Sequence, residues 1–173
     1  MLRYRVTPVS PPAGSGGAAV AVQTSGTQYG TSSTAAGTGA GGGAAVRVEV
    51  RSASIAAQTA TGGSWDVVGG DPDPYVVVMS IVRRREMDRT AAVDNSREVR
   101  FDRVLPAAIQ IDEFPIRFLV YDEDVTSDEL IGVADVEASQ VQGGTVDLVL
   151  PLRSEGSTPV TTGTLRVRFT AVQ

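Results

Sequence analysis

From Val46 onward the chain alternates. Val46, Val48 and Val50 are interleaved with Arg47, Glu49 and Arg51, the period-two signature of a strand with one buried and one wet face. Leu165, Val167, Phe169 and Ala171 repeat the pattern within Thr164 to Val172. Pro74 to Val82 reads differently, as a near-continuous β-branched run that predicts a central strand covered on both sides. Val99 to Leu105, Ile116 to Tyr121, Ile131 to Val136 and Thr145 to Leu150 are further strands, and Thr90 to Val93 is one more candidate. Between them lie Gly62-Gly63, Gly69 to Pro74, Pro106, Pro115, Gly143-Gly144 and Gly156 to Gly163, all turn chemistry. About eight short strands with no amphipathic helix predict an all-β, eight-stranded antiparallel β-sandwich over residues 46–173.

The first 45 residues follow other rules. From Ser10 to Ala45 the chain is Gly, Ala, Ser and Thr with scattered Val and Tyr, and it holds ten of the 19 glycines. That composition predicts a low-complexity N-terminal arm, residues 1–45, without a core of its own. Leu2, Tyr4 and Val6 alternate with polar neighbours, enough to add an edge strand. The opening Met-Leu-Arg-Tyr-Arg meets Pro8, Pro11 and Pro12, so no apolar run of signal-peptide length follows the charges. No stretch approaches the roughly 20 apolar residues that span a bilayer. The expectation is a cytoplasmic or peripheral-membrane protein.

Composition narrows the chemistry. There is no Cys and no His, and all 15 basic residues are Arg. Thiol catalysis, disulfides, thiolate metal sites, a catalytic lysine and the usual proton shuttle near neutral pH are all excluded. Residues 1–46 carry no acid and only Arg3 and Arg5, so all 20 acids face 13 arginines in the remainder, a net −7 there. An acidic domain without a basic, aromatic-interleaved stripe is not a nucleic-acid binder.

The acids are concentrated in two segments. The first runs Trp65-Asp66-Val67-Val68-Gly69-Gly70-Asp71-Pro72-Asp73-Pro74-Tyr75-Val76. The second is Tyr121-Asp122-Glu123-Asp124-Val125-Thr126-Ser127-Asp128-Glu129-Leu130-Ile131-Gly132, with five acids in eight positions and no cation among them. Like charges this close repel unless neutralised. A single Asp in such a loop most often caps a turn. Two such segments, each beside an apolar strand, point instead to a hard cation, and calcium takes oxygen ligands from converging flexible loops more readily than magnesium does. Paired carboxylates also serve hydrolases, but Asp122 and Asp124 share one strand end and have no separate acid–base partner, so no enzyme is expected.

These motifs carry a resemblance. Asp73-Pro74-Tyr75-Val76 after a Gly-containing loop with Asp66 resembles the first calcium loop of C2 domains. Phe118-Leu119-Val120-Tyr121-Asp122-Glu123-Asp124, closed by Glu129-Leu130-Ile131-Gly132, resembles their third. The resemblance implies calcium ligands at Asp66, Asp73, Asp122 and Asp124, with Asp128 and Glu129 competing for the last position. The first loop is one residue longer than the family spacing, so Asp71 is an alternative there; the third is one shorter before its final acid. By position Val67, Val68 and Val125 are the membrane-contact candidates, and Trp65 is either an interfacial wedge or a core residue. Tyr75 and Phe118 are assigned to packing. The family's lysine-rich strand is absent. Arg83, Arg84, Arg85 and Arg89 form the only basic run, broken by Glu86 and Asp88, and it reads as a solvated strand end or loop. The implied partner is an anionic phospholipid membrane. The alternative is a protein partner in a larger assembly, reached through the N-terminal arm of a calcium-stabilised domain.

Overall fold

The computed structural model describes residues 44–65 and 70–172. The proposed arm up to residue 43, with its candidate strand from Leu2, lies outside the described residues, and so do Asp66, Val67 and Val68. The strands are β1 (Ala45–Ile55), β2 (Pro74–Ser80), β3 (Arg85–Arg89), β4 (Glu98–Val104), β5 (Ile109–Gln110), β6 (Ile116–Asp122), β7 (Glu129–Val136), β8 (Thr145–Arg153) and β9 (Thr161–Val172). Every pairing is antiparallel. The order β3-β2-β6-β7-β8-β9-β1-β4 curls into two layers, with two-residue β5 added beside β1. One residue pair, Val133 with Arg153, is the whole ladder between β7 and β8, and it is there that the layers part.

Period two becomes packing directly. In β1 the inward set Val46, Val48 and Val50 is buried, and β9 supplies Leu165, Val167 and Phe169 from its own inward set. From the other layer Val76 and Val78 of β2 and Phe118 and Val120 of β6 fill the same core. Phe118 meets Phe169 edge to face at 6.3 Å, joining the layers through one aromatic contact. Each such buried side chain contributes about 1.5–3 kcal/mol relative to exposure.

β2 is covered on both sides, as its continuous apolar run predicts, but the run expected to Val82 ends at Ser80, and Ile81 and Val82 lie exposed in the turn that follows. Its outward residues Tyr75 and Val77 pack with Leu119 of β6 into a second apolar cluster, flanked by Met79, Ala92, Tyr121, Leu130 and Val133. In β1 the alternation breaks once. Register shifts between Val50 and Ser52 against both neighbours: Arg51 is the extra residue of a bulge against β9, whereas against β4 the extra residue lies on β4, between Arg100 and Arg103.

One expected strand moves. Thr90 to Val93 is not a strand, and the arginine run supplies β3 in its place. The residues after β3 still follow β2, through Thr90 N–H to Val76 O (2.9 Å) and Val93 N–H to Pro74 O (3.1 Å). Val76 N–H, however, donates to the Thr90 hydroxyl (3.0 Å), so a side chain takes the place of a carbonyl and the ladder stops.

Candidate functional site

β2 and β6 determine the geometry of the loop end. Pro74 pairs with Asp122 in the β2–β6 register, so the residue before β2 and the last residue of β6 are neighbours. Asp73 N–H donates to Asp122 Oδ1 at 2.6 Å, and Glu123 N–H donates to Asp73 O at 3.0 Å. Two acids 49 positions apart in sequence are thus locked side by side. Asp122 follows Ile116, Phe118 and Val120 on the inward face of β6 and is only 2% exposed. Asp73 Oδ1 also accepts the Asn95 N–H, which ties the strand entry to the segment after β3.

The second loop sorts its acids by strand parity. A register shift between Val120 and Tyr121 places Glu129 opposite Asp122 and Leu130 opposite Tyr121. Directly paired residues share a face, so Glu129 stands on the Asp122 side. Asp128 falls on the other side, where its Oδ2 accepts the Tyr75 hydroxyl at 2.6 Å and its Oδ1 accepts Asp124 N–H at 3.2 Å. The Tyr75 hydroxyl and then the Asp124 N–H hold the Asp128 carboxyl below its ordinary range. Burial, reinforced by the bond to Asp128, pushes Tyr75 up to about 12. The Tyr75 ring stacks on Tyr121 at 5.5 Å, and the Arg89 guanidinium lies 5.8 Å from its centroid. Tyr75 is therefore more than packing. Its hydroxyl anchors the loop, a role that no sequence signal distinguishes from that of any buried tyrosine.

Asp71 is engaged elsewhere. Arg97 Nε lies 2.6 Å from its Oδ1, and its backbone N–H donates to Asn95 Oδ1 at 2.9 Å. That neutralisation makes Asp71 a poor substitute ligand. Val125 is 106% exposed at the tip of the second loop. Trp65 is 5% exposed and its Nε1–H donates to Ala56 O at 2.7 Å, so it is a core residue and not a wedge. Most of the arginine run is spent internally, with Arg83 on Asp112, Arg85 on Glu113 and Arg89 on Glu86, at 2.7–2.8 Å, while Arg84 is exposed.

The donor set suits a hard cation in kind, since every candidate is a carboxylate. In placement, the Asp73 backbone N–H bonds the Asp122 carboxylate, yet among the described residues no three acids converge closely enough to hold an ion. No helix among the described residues is long and apolar enough to cross a membrane.

Comparison with known proteins settles the family. A protein-family model described as C2 domain matches residues 45–152. The chain belongs to the C2 domain family. Solved C2 structures share its fold. One described as the structure of a C2 domain aligns over 75% of this chain and 99% of its own length, at 17% identity and a TM-score of 0.53. A C2 domain of plant Extended Synaptotagmin 1 aligns over 74% of this chain and 93% of its own length, at 18% identity and a TM-score of 0.53. Human GIVD cytosolic phospholipase A2 aligns over 74% of this chain at 18% identity and a TM-score of 0.54, but the chain spans only 17% of that protein. No curated protein matches the chain. A C2 domain is a binding module, so the phospholipase likeness carries no catalytic site with it.

Proposed function

We propose that this C2 domain binds calcium at its loop end and thereby docks on anionic phospholipid surfaces. Asp73, Asp122 and Asp124 act as ligands with Asp66 of the first loop, and Glu129 closes the set. Glu129 is preferred over Asp128 because it shares a face with Asp122, whereas both Asp128 oxygens already hold the Tyr75 hydroxyl and the loop backbone. The observation that carries the reading is the bond from the Asp73 backbone N–H to the Asp122 carboxylate at 2.6 Å, which holds the two acids side by side on the loop end that also bears the fully exposed Val125.

Because no cage of three described acids is ready-made, binding is coupled to rearrangement of the 123–129 loop. Part of the interaction energy then goes into ordering, and the affinity is weak, about 10⁻⁵–10⁻³ M. Bound calcium inverts the negative potential of the loops and bridges to phosphate head groups, while Val125, with Val67 and Val68, enters the interface. Calcium should raise the melting temperature by mass action, and Asp122→Asn with Asp124→Asn should abolish that rise. An unchanged rise removes both residues from the site. Co-sedimentation with phosphatidylserine vesicles at millimolar calcium tests docking: Val125→Asp should reduce vesicle binding and leave calcium affinity intact.

One observation favours a second reading. With Arg83, Arg85 and Arg89 all held in internal ion pairs, only Arg84 of the run is left, among the described residues, without one to assist lipid binding. In that reading the calcium-stabilised domain joins a protein assembly through its N-terminal arm, residues 1–45. Vesicle binding is then absent at any calcium level, and removing residues 1–44 abolishes assembly while calcium binding survives.

A further inference from the structure

The outer face of the β4-β1-β9-β8 layer holds a feature that the calcium reading does not use. Ser52 of β1 pairs with Arg100 of β4 on one side and Arg166 of β9 on the other, and Arg166 pairs with Val149 of β8. Residues in register share a face, so Arg100, Ser52, Arg166 and Val149 form one row across four strands, pointing away from the core. The small serine between the arginines leaves a groove of about 510 Å³, also lined by Arg51, Asp102 and Asp147. The volume falls in the range of roughly 300–1,000 Å³ typical of small-molecule sites.

The charges in the groove are unequally matched. Asp147 is forked by Arg168 at 2.9 and 3.0 Å. Asp102 lies 3.2 Å from Arg100, and Arg51 reaches Asp147 only at 3.7 Å. Arg166 makes no ion pair with any carboxylate among the described residues, and its cross-strand neighbours are Ser52 and Val149. Two guanidinium groups flanking one serine repel unless an anion sits between them.

We propose that the Arg100–Ser52–Arg166 row is an anion site for a phosphomonoester. Two planar forks and a hydroxyl present more donors than the two oxygens of a single carboxylate can accept, whereas a phosphomonoester offers three terminal oxygens and a second negative charge. The rest of the groove takes the organic group that bears the phosphate, and Val149, 54% exposed, forms its apolar wall. Arg51 adds to the positive potential from the bulge without needing direct contact. The site uses none of the loop-end acids, so it does not depend on calcium.

The test uses the full chain with a calcium chelator at constant ionic strength. Inorganic phosphate and phenyl phosphate are titrated calorimetrically, and vesicles of phosphatidylcholine with 4-phosphorylated phosphatidylinositol are co-sedimented in parallel. Saturable binding is expected, tighter for phenyl phosphate because of Val149. Arg166→Gln should weaken it about tenfold or more, the scale of one charge-assisted pair. Arg100→Gln should act similarly, Arg166→Lys should lie between, and Arg117→Gln on the opposite face should change nothing. Melting curves of the variants report folding, and the two arginine positions serve as independent readouts. Binding confined to vesicles and lost in Arg166→Gln upholds the chemistry and assigns the phosphate to a lipid head group. No saturable binding to any probe, or binding unaffected by both glutamine variants, overturns the proposal.

Discussion

The two outer faces of this sandwich descend from the same alternation and end in different states. On the β2–β6 side the outward residues are Tyr75, Val77, Leu119 and Tyr121, which pack on one another and on Ala92 and Leu130, so three of the four are nearly dry. On the β1–β9 side the outward residues are Glu49, Ser52, Ser54, Thr164, Arg166 and Arg168, and the face is wet. A strand residue's inward or outward direction follows from parity alone, but its burial depends on what lies beyond it. On the first side the segment after β3 folds back along β2 and brings Ala92 onto the sheet. Nothing among the described residues covers the second side in that way, and its cross-strand ion pairs, Arg51 and Arg168, both go to the one carboxylate of Asp147.

The largest expected consequence of this difference is at Leu119, which is outward-facing yet only 8% exposed. Leu119→Ala should cost about 2–4 kcal/mol in chemical denaturation, a core-like value. A cost under about 0.5 kcal/mol, the usual range for surface positions, would mean that this face is as wet as the other. Tyr75→Phe should cost less than Leu119→Ala, because the ring stays in place and only the hydroxyl bond to Asp128 is lost. Its clearer readout is titration. With a folded value near 12 against the ordinary 10, neutral Tyr75 adds stability that is fully present below pH 10 and disappears as pH rises through about 12. Tyrosinate absorbance should therefore show a late-ionising tyrosine in the native chain that Tyr75→Phe removes. The same bond depresses Asp128, so its contribution is present above the ordinary value of 3.8 and is lost as pH falls below it. The smallest effect belongs to the wet face. Val149→Thr, at a position 54% exposed, should change stability by less than about 0.5 kcal/mol. A larger loss would indicate that something covers the groove.

Much of the fold was legible because alternation and turn residues are local signals. β2, β4, β6, β7, β8 and β9 lie within a few residues of their predicted spans, and the continuous apolar run of β2 correctly announced cover on both faces. β3 was not legible. Arg85 to Arg89 has almost no apolar content, and it is a strand because β2 offers it an edge, not because of any preference of its own. Thr90 to Val93 failed for a complementary reason: its residues favour a strand, but the Thr90 hydroxyl takes the bond that would have extended the ladder.

The order of residues along the chain was enough to mark an all-β sandwich of the C2 family, matched over residues 45–152, with Asp73 and the Asp122–Glu129 segment at strand ends, because spacing within one strand is a property of the chain alone. What those residues meet depends on how the strands pair in space. The pairing set Asp73 against Asp122, gave Asp71 to Arg97, and used the register shift at Val120–Tyr121 to part Glu129 from Asp128 and hand the latter to Tyr75. It also aligned Arg100 and Arg166 on either side of Ser52, past the bulge at Arg51. Cross-strand register and bulges reach between segments tens of residues apart. A one-residue slip exchanges the two faces of a strand, so which charges become neighbours is settled when the strands pair.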